Sequence, residues 1–336
     1  MSDLEMAELA NLATSYLQQG QWHSAKKYYL QALKLDPQDA QVLFNLGVIC
    51  AKQGHLKNAL EFYLMLLQFH PYHDETHHNL GVLYFKIREK VAALHHFRLA
   101  LSLKPDNHIA RHFAALLTHQ KTTTSPPAYL KALFDDYADY YEQHLQTLNN
   151  QLPQALLEMV QDYIGERDPR FCGDGTVIFQ SALDVGCGTG LCGQVFKPYV
   201  KHLTGVDLSP KMLAAAALKI TYNALYEMPL LDHLQTQRAA YELIIAGDVL
   251  VYDGDLSQFF TTAARALMPG GWIVFNTEIS DNEDYVVTES GRFAHHRRYI
   301  EALAVSASLQ CVAIREVTMR FADGKPLLGR LYLLRI

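Results

Sequence analysis

A glycine-rich loop is the stretch of this sequence whose residue types and spacing point most directly to ligand chemistry. Residues 183–193 read LDVGCGTGLCG and complete an apolar run with the composition of a strand. Two glycine spacings overlap in it. Gly186, Gly188 and Gly190 alternate, whereas Gly188, Gly190 and Gly193 have the spacing of a dinucleotide-binding fingerprint. Glycine lets the backbone approach a ligand closely in either case, so the glycines alone do not identify the ligand.

Two acidic residues near the loop help to choose between ligands. Asp184 lies in the end of the strand, two residues before Gly186, where it would repel a pyrophosphate at the following helix N-terminus. It would attract the ammonium group of S-adenosyl-L-methionine. Asp207 follows Gly188 by 19 residues and suits the ribose hydroxyls of either ligand. The pattern therefore favours S-adenosylmethionine, and a nicotinamide or flavin dinucleotide stays the alternative.

The elements that must position these residues are a sheet and its flanking helices. From residue 177 onward, strand-like and helix-like segments alternate, which predicts a doubly wound parallel sheet. The helix that begins near residue 256 is predicted to stop at Pro269, and the last two strands are predicted to form a hairpin. Ligands of such sheets bind at the carboxyl ends of the strands. The glycine loop, Asp207 and Asp248 are therefore expected at one edge of the sheet.

A helical segment precedes this sheet. Within residues 128–164 apolar side chains recur at steps of three and four, among them Tyr137 and Tyr141, which is typical of amphipathic helices. One interpretation is a helix that packs its aromatic residues into the core. The other is a lid over the ligand, because the segment lies directly before the glycine loop domain.

The first third of the chain repeats itself every 34 residues. Each unit has a leucine followed by a small residue, then an alanine, an aromatic residue and a closing proline: Leu12, Leu46, Leu80; Ala13, Gly47, Gly81; Ala25, Ala59, Ala93; Tyr29, Tyr63, Phe97; and Pro37, Pro71, Pro105. Small residues let two helices approach closely, and proline ends the second helix. The spacing predicts helix pairs at 6–39, 40–73 and 74–107, a capping helix at 109–120 and a polar linker at 121–127.

Both halves resemble known families. Residues 1–120 resemble a tetratricopeptide-repeat solenoid. Residues 128–336 resemble a class I S-adenosylmethionine-dependent methyltransferase, through FDDYADYYEQHL, LDVGCGTGLCG, LTGVDLSPKML, YELIIAGDVLVYDGDL, ARALMPGGWIVF and SGRFAHHRRYI. The whole chain resembles bacterial methyltransferases that carry tetratricopeptide repeats at the N-terminus. The resemblance implies an all-α solenoid followed by a Rossmann-like, doubly wound α/β domain, with a helical lid at 128–164 and a seven-stranded core at 177–336 whose last strand is antiparallel.

The resemblance also implies a donor site. Its residues, in chain order, are Tyr137, Tyr141, Asp184, Gly186, Cys187, Gly188, Gly190, Asp207, Leu208, Met212 and Asp248. Tyr137 and Tyr141 would form the lid, and Leu208 and Met212 would lie beside the adenine. Relatives have an acid after the third strand that reads the adenine amine, but Pro229 occupies roughly that position here. Glu227 or Asp232 is the expected substitute.

Methyl transfer from a sulfonium is an in-line displacement, so a general base is needed only when the acceptor arrives protonated. Asp248 and His295 are the catalytic candidates. Glu278, Arg292 and His295 are the candidates for acceptor binding, because the resemblance places SGRFAH beside the acceptor pocket. For each of them a surface or packing role is the alternative. The sequence names neither the acceptor, a small molecule or a protein-borne group, nor the methylated atom.

Three asparagines, Asn11, Asn45 and Asn79, are also 34 residues apart. In tetratricopeptide proteins this position faces the concave groove, where the amide can hold an extended peptide. A protein partner or substrate in this groove is one hypothesis, and a structural or dimerising role is the other. Two further functions stay open: an adaptor whose S-adenosylmethionine-binding domain is not catalytic, and an oxidoreductase with a nucleotide cofactor.

Composition narrows the setting of this 336-residue chain, which has a net charge of −6. Residues 1–124 carry 12 basic and 10 acidic residues, whereas residues 125–336 carry 17 and 25, so nucleic acid is a disfavoured acceptor. No apolar run is long enough to span a membrane, and the acidic start lacks a secretory pattern. The five cysteines form no C-x-x-C pair, and the histidines at 70, 73, 77 and 78 are irregularly spaced. We expect a cytoplasmic protein without a metal site.

Overall fold

The computed structural model describes residues 2–118, 122–164, 179–281, 283–288, 290–322 and 325–336. By its packing the chain divides into two compact units, Met1–Gln120 and Lys121–Ile336. Among the helices of these described ranges, none is long and apolar enough to cross a membrane.

The first unit is helical throughout its described part. Its helices are α1 (Ser2–Gln18), α2 (Trp22–Leu35), α3 (Ala40–Lys52), α4 (Leu56–Phe69), α5 (Asp74–Lys86), α6 (Lys90–Leu103) and α7 (His108–Leu117). Helices α2, α4 and α6 each end two residues before a repeat proline, because the residue before proline is driven out of the helical conformation. Asp39 and Asn107 cap α3 and α7 by accepting hydrogen bonds from backbone amides.

The repeated small and aromatic residues are in contact, as the 34-residue period predicts. A Cβ atom on Gly47 would lie 2.3 Å from the ring of Tyr63, and one on Gly81 would lie 2.6 Å from the ring of Phe97. Glycine at these positions therefore allows the aromatic ring of the second helix to lie against the first helix of its own unit. The close approach of the two helices, which the sequence assigns to the small residues, is confirmed at both positions.

The clustered histidines do not share a ligand site. Each bonds to a different group: His70 to the Gln38 carbonyl, His73 to Thr76, His77 to the Pro71 carbonyl and His96, and His78 to Asn107. Within the described ranges, no three residues among His, Cys, Asp and Glu are arranged to hold a metal ion.

The second unit is a sheet with helices on both faces. Its strands are β1 (Phe179–Val185), β2 (Val200–Asp207), β3 (Ala224–Glu227), β4 (Tyr241–Ala246), β5 (Leu267–Ile279), β6 (Tyr285–Val287), β7 (Phe293–His295), β8 (Gln310–Ala322) and β9 (Lys325–Arg335). Strands β3, β2, β1, β4 and β5 lie side by side in that order and are parallel. Strand β9 is antiparallel to β5 and pairs with β8. Strands β1 to β5, β8 and β9 are the seven strands of the predicted core, and β8 and β9 form the predicted closing hairpin.

Two details differ from that prediction. The short strands β6 and β7 form an additional antiparallel pair, and β7 pairs in parallel with the end of β5 at Glu278 and Ile279. The helix expected to stop at Pro269 ends at Ala266, and Pro269 lies inside β5. The register of β5 against β4 is irregular there, and proline is tolerated at such irregularities because it has no amide to donate to the ladder.

The helices of this unit are α8 (Pro127–Tyr137), α9 (Tyr141–Thr147), α10 (Leu152–Ile164), α11 (Leu191–Phe196), α12 (Pro210–Leu218), α13 (Leu230–Thr236), α14 (Ser257–Ala266) and α15 (Arg297–Ser306). Helix α10 packs in one apolar core with one face of the sheet, and α14 and α15 pack on the other. Successive residues of the central strands alternate between these cores, as in other doubly wound sheets.

Polar contacts attach the segment α8–α9 to the sheet domain. The hydroxyl of Ser209 donates to Asp135 over 2.6 Å, and the Lys131 ammonium donates to Glu227 over 2.6 Å. Lys219 forms an ion pair with Glu142. The segment predicted as a lid is thus held at α8 and at α9 by residues from the β2–β3 region.

Candidate functional site

A cavity of about 310 Å³ lies at the carboxyl ends of β1, β2 and β4. Its walls come from residues 124–141, the glycine loop, the ends of β2 and β4, and the turn at 228–232. This is the edge at which open α/β sheets bind ligands. Of the predicted donor-site residues, those that line the cavity are Tyr141, Gly186, Gly188, Asp207, Leu208, Met212 and Asp248. Those that do not are Tyr137, Asp184, Cys187 and Gly190.

The glycine loop needs glycine for conformation and for space. Gly186 has a positive φ of 65°, and a Cβ atom there would lie 2.3 Å from the side chain of Val249. Gly188, also at positive φ, donates its amide hydrogen to Asp207 Oδ2 over 2.8 Å. The loop after β1 is therefore attached directly to the end of β2, and both meet at the cavity.

Asp207 lines the cavity and holds two backbone amides. Besides the Gly188 amide, its Oδ1 atom accepts the amide of Ser209 over 2.9 Å. Burial raises the pKa of the Asp207 carboxyl, although hydrogen bonds from Ser209, Gly188 and Leu208 act in the opposite direction. The carboxylate keeps lone pairs for further donors, which is what a ribose diol requires.

Asp184 does not line the cavity but lies behind the glycine loop, 1% exposed. The hydroxyl of Tyr222 donates to its Oδ2 atom over 2.6 Å. Burial raises the pKa of Asp184 to about 7, against the lowering effect of this hydrogen bond. Cys187, also buried, would lie 2.9 Å from a Cβ atom on Gly205, so its side chain packs against β2.

Tyr222 also explains why Gly193 is a glycine, which is the residue that gives the loop its dinucleotide-like spacing. A Cβ atom on Gly193 would lie 2.2 Å from the Tyr222 hydroxyl oxygen. Gly193, the third glycine of the dinucleotide-like spacing, is thus explained by the tyrosine that reaches Asp184. Tyr222 is distant in sequence and belongs to no motif, so this contact could not be predicted from the sequence.

Asp248 is the centre of a buried charge cluster. Its φ is 57°, and its amide donates to Asn276 over 2.7 Å. Arg292 donates to both oxygens of its carboxylate, and Arg320 donates to Oδ2 over 2.8 Å. Arg292 Nε also lies 2.7 Å from Glu278. Arg320 was not among the sequence-predicted residues, because β8 carries no motif at that position.

Electrostatics set the ionisation of this cluster. Burial acts to raise the pKa of Asp248, but Arg292 and Arg320 outweigh it and leave the pKa below its usual value. Burial and the neighbouring Asp248 raise the pKa of Glu278, opposed by the same two guanidinium groups. Burial lowers the pKa of Arg292, yet the carboxylates raise it overall. Asp248 is therefore a firmly ionised carboxylate, and Arg292 and Glu278 do not line the cavity.

His295 is fully buried and lies outside the cavity lining. Its Nε2 atom lies 2.9 Å from the Asp253 carbonyl oxygen and 3.2 Å from that of Gly254. Carbonyl oxygens only accept, so Nε2 carries the hydrogen. Burial lowers the pKa of His295 to about 4, so the ring is neutral near pH 7. His295 therefore bonds to the backbone of Asp253, and Asp253 is itself a lining residue of the cavity.

The predicted linker contributes to the cavity wall. The Ser125 amide donates to the Tyr252 carbonyl over 2.9 Å, and the Gly254 amide donates to the Thr123 carbonyl over 2.8 Å. Thr124 and Ser125 line the cavity together with Asp253, whose carboxylate accepts the Thr124 hydroxyl. Burial raises the pKa of Asp253. A polar, proline-ended stretch gives no sequence signal for this short strand-like pairing.

Aromatic residues cover the cavity from the α8–α9 side. Phe134 and Tyr141 line it, and the Phe134 ring meets Tyr252 edge to face at 5.4 Å. Tyr137 does not line the cavity, but the centre of its ring lies 5.1 Å from that of Tyr141. At the opposite end, Asp232 lines the cavity, whereas Glu227 does not and instead pairs with Lys131.

In the first unit, the predicted groove asparagines have tyrosine partners. Asn45 donates to the Tyr29 hydroxyl oxygen over 2.8 Å, and Asn79 donates to that of Tyr63 over 3.1 Å. Asn45 is 8% exposed, whereas Asn11 is exposed. Two of the three asparagine amides therefore already donate a hydrogen bond to a tyrosine of the helical repeats.

Comparison with known families agrees with both resemblances. Residues 183–275 match the methyltransferase domain family, and residues 11–74 and 74–107 match tetratricopeptide-repeat families. The chain therefore combines tetratricopeptide repeats with a methyltransferase domain, and both sequence-based identifications are confirmed. The dinucleotide alternative for the glycine loop gains no support from these matches.

Curated relatives match parts of the chain. The ubiquinone biosynthesis O-methyltransferase of Hydrogenovibrio crunogenus is 29% identical over 115 residues, which cover 32% of this chain and 46% of that enzyme. The malonyl-[acyl-carrier protein] O-methyltransferase of Erwinia billingiae is 30% identical over 146 residues, which cover 41% and 58%. The chain thus spans about half the length of the curated relatives it matches.

Among solved structures, the 1,6-didemethyltoxoflavin-N1-methyltransferase of Burkholderia thailandensis, with bound S-adenosylhomocysteine, aligns with a TM-score of 0.48 at 16% identity. The alignment covers 64% of this chain and 92% of that protein. The sequence prediction of S-adenosyl-L-methionine as the cofactor agrees with the match of residues 183–275 to the methyltransferase domain family.

Proposed function

We propose that the second unit transfers the methyl group of S-adenosyl-L-methionine to an acceptor and releases S-adenosyl-L-homocysteine. The observation that carries this proposal is the charge of the cavity wall. Four aspartates line it, Asp207, Asp232, Asp248 and Asp253, and no Lys, Arg or His is found among its described lining residues. Arg292 and Arg320, outside the lining, offset the charge of Asp248, so the excess negative charge comes from the other three. A donor with a sulfonium and an ammonium suits this wall, whereas a dinucleotide pyrophosphate does not.

The residues present fit each part of this donor. We assign the ribose to Asp207, whose carboxylate has lone pairs left, and the adenine to the apolar side chains of Leu208 and Met212. Asp232 lies at the same end and is the carboxylate we assign to the adenine amine. Glu227 is less suited, because it is paired with Lys131 outside the lining.

When bound, the donor supplies a methyl group that is already activated, because the sulfonium sulfur leaves as a neutral thioether. The chain then has to orient the acceptor and exclude water. Orientation alone can lower the activation barrier by about 7–11 kcal/mol. Phe134, Tyr141 and Tyr252 form an aromatic wall that suits the exclusion of water. Asp248, held by two guanidinium groups, is a carboxylate of fixed orientation beside this wall.

Where the acceptor arrives protonated, we assign proton acceptance to Asp253. Its side chain lines the cavity and burial raises its pKa, which favours a carboxylate that takes up a proton. Asp248 is less suited because its pKa is lowered, and His295 because it lies outside the lining. The expectation is that Asp253→Asn lowers methyl transfer far more than it lowers donor affinity, whereas His295→Gln retains transfer.

For the first unit we propose binding of a protein partner, or of the protein that carries the acceptor. An open groove along α2 supports this role. It is lined by one side of the helix, at His23, Lys26, Lys27, Leu30, Gln31 and Lys34, together with Gln53 and His55, and these lining residues include no acid. The spacing of three and four residues places Lys26, Lys27 and Lys34 along one side of the helix, which suits an acidic segment.

Two experiments test the main proposal. Calorimetric titration with S-adenosylhomocysteine and, separately, with NAD distinguishes the donor site from a dinucleotide site. Incubation of cell extract with isotope-labelled donor, with and without the protein, then reports transfer and the size of the labelled product. Donor binding without any label transfer would favour the adaptor function over catalysis. Binding of NAD but not of S-adenosylhomocysteine would overturn the proposal.

A further inference from the structure

Tyr222 connects three parts of the methyltransferase unit that are distant in sequence. It lies between α12 and β3, and its hydroxyl donates to Asp184 at the end of β1 over 2.6 Å. A backbone amide, that of Gly193, also stabilises the Asp184 carboxylate. A fully buried carboxylate with two donors is held in one orientation.

Glycines surround this tyrosine, and a side chain at any of three of them would collide with it or crowd it. A Cβ atom on Gly193 would meet its hydroxyl at 2.2 Å, and one on Gly205 would meet its ring at 2.9 Å. A Cβ atom on Gly190 would lie 3.0 Å from the same ring. Tyr222 thus packs closely against the glycine loop, α11 and β2.

The other groups that surround Asp184 do not favour its charge. Asp207 at the end of β2 is a second carboxylate and raises the pKa of Asp184. The thiols Cys187 and Cys192 are buried neighbours without a positive charge. The residue opposite Asp184 on β4 is the apolar Ile245. The Tyr222 hydroxyl is therefore the one side-chain hydrogen-bond donor that the described structure offers to this carboxylate.

We propose that Tyr222 is a positioning residue for the methyl donor: its hydroxyl keeps the Asp184 carboxylate ionised and oriented behind the glycine loop. The proposal rests on the function proposed above. Asp184 lies two residues before Gly186, whose backbone lines the cavity. A buried negative charge at that place attracts the donor ammonium across the loop, because Coulomb interactions are strong where water is excluded.

A pH dependence of donor affinity follows. The pKa of Asp184 is about 7, so the group gains its charge as the pH rises through neutrality, and donor affinity rises with it. Loss of the Tyr222 hydroxyl removes a contact that lowers this pKa, so the rise in affinity moves to higher pH. The donor amine loses its own proton above about pH 8, which sets a common upper limit for every variant.

The test is donor affinity as a function of pH, measured by calorimetry with S-adenosylhomocysteine from about pH 5 to about pH 8. Tyr222→Phe is expected to shift the acid limb upward by about one unit and therefore to weaken binding about fivefold at pH 7. Asp184→Asn is expected to bind weakly with no acid limb. Tyr226→Phe, which alters a half-exposed tyrosine of β3 outside the cavity lining, is expected to match the wild type.

The outcomes separate the two proposals. An unshifted acid limb in Tyr222→Phe, or an equal loss of affinity at every pH, would show that Tyr222 only packs the loop and would overturn the inference alone. A wild-type protein that binds no S-adenosylhomocysteine at any pH would overturn the proposed function, and the inference with it. If Tyr222→Phe does not fold, the acid limb of Asp184→Asn decides, because its persistence excludes Asp184 as the titrating group.

Discussion

Arg292 donates to both carboxylate oxygens of Asp248 at the carboxyl end of β4. The side chains are 11% and 18% exposed, so the pair is largely shielded from water. Arg320 joins from β8 and Glu278 from β5, which brings two positive and two negative charges together. Such a cluster depends on each member, because removal of one leaves an uncompensated buried charge.

We therefore predict that Arg292→Met lowers the free energy of unfolding by about 3–5 kcal/mol, the range for breaking one partner of a buried pair. Urea unfolding at neutral pH measures the loss. The matched control is Arg315→Met, because Arg315 pairs with Asp162 at 2.7 Å on the surface. Exposed pairs contribute about 0–1 kcal/mol, so the control should lose little. Equal losses in both variants would contradict the buried-cluster interpretation.

The sequence was sufficient for the layout of both units. The period of 34 residues located the helix pairs, and the small residue Gly47 allows the two helices of its repeat to approach closely, as the sequence predicts. Alternating strands and helices gave the sheet, and the loop at Gly186 and Gly188 lies at the cavity as expected. These features are local in sequence or repeat in it, so a pattern can carry them.

Contacts between segments that are distant in sequence could not be predicted from sequence patterns. Tyr222, Arg320 and Thr124 reach the site from loops and a strand that hold no motif, and only the fold brings them there. The end of α14 was misplaced for a related reason. Pro269 stops helices in general, but the pairing of Leu267 with Tyr241 already draws the chain into β5 two residues earlier.

Asp232 provides a test of adenine recognition. We predict that Asp232→Asn weakens binding of S-adenosylhomocysteine about tenfold, since a hydrogen bond from the adenine amine to a charged carboxylate contributes about 1.5–3 kcal/mol. Calorimetry with S-inosylhomocysteine, which lacks the amine, supplies a second readout. The wild type should discriminate against this analogue, and Asp232→Asn should not.

The control for this prediction is Glu227→Gln, which alters the neighbouring carboxylate outside the cavity lining. It should retain both affinities. Loss of discrimination in Glu227→Gln with none in Asp232→Asn would reassign the adenine contact to the residue that pairs with Lys131.

Asn45 provides a test of the first unit. A directional chain of hydrogen bonds runs from its amide to the Tyr29 hydroxyl, on to Thr14 and from there to the Ala10 carbonyl. We predict that Asn45→Ala lowers the free energy of unfolding by about 1–3 kcal/mol, because a buried tyrosine oxygen loses its donor. Asn11→Ala should change it by less than about 0.5 kcal/mol, because Asn11 is exposed. Thermal or urea unfolding of the full chain distinguishes this structural role from one confined to peptide binding.

His295 gives a prediction for pH. Its folded-state pKa is about 4 and its ordinary value is 6.5, so the unfolded chain takes up the proton first as the pH falls. Stability is complete above about pH 6.5 and declines toward about pH 4, by up to about 3 kcal/mol for this residue. His295→Gln should show a shallower decline over that range, measured by urea unfolding at several pH values. His202→Gln, at an exposed histidine, is the control and should follow the wild type.

Gly193 and Tyr222 give the last prediction, a double-mutant cycle. Gly193 lies in α11, so alanine is acceptable to its backbone, but its Cβ atom would lie 2.2 Å from the Tyr222 hydroxyl oxygen and 2.4 Å from the ring carbon that bears it. We predict that Gly193→Ala lowers the free energy of unfolding by about 1–3 kcal/mol through overpacking. Tyr222→Leu removes both crowded atoms, so Gly193→Ala should cost less in that background, with an interaction energy of at least about 0.5 kcal/mol. Additive losses in the double variant would mean that Gly193 is required for a reason other than Tyr222, and the dinucleotide-like spacing would again need an explanation.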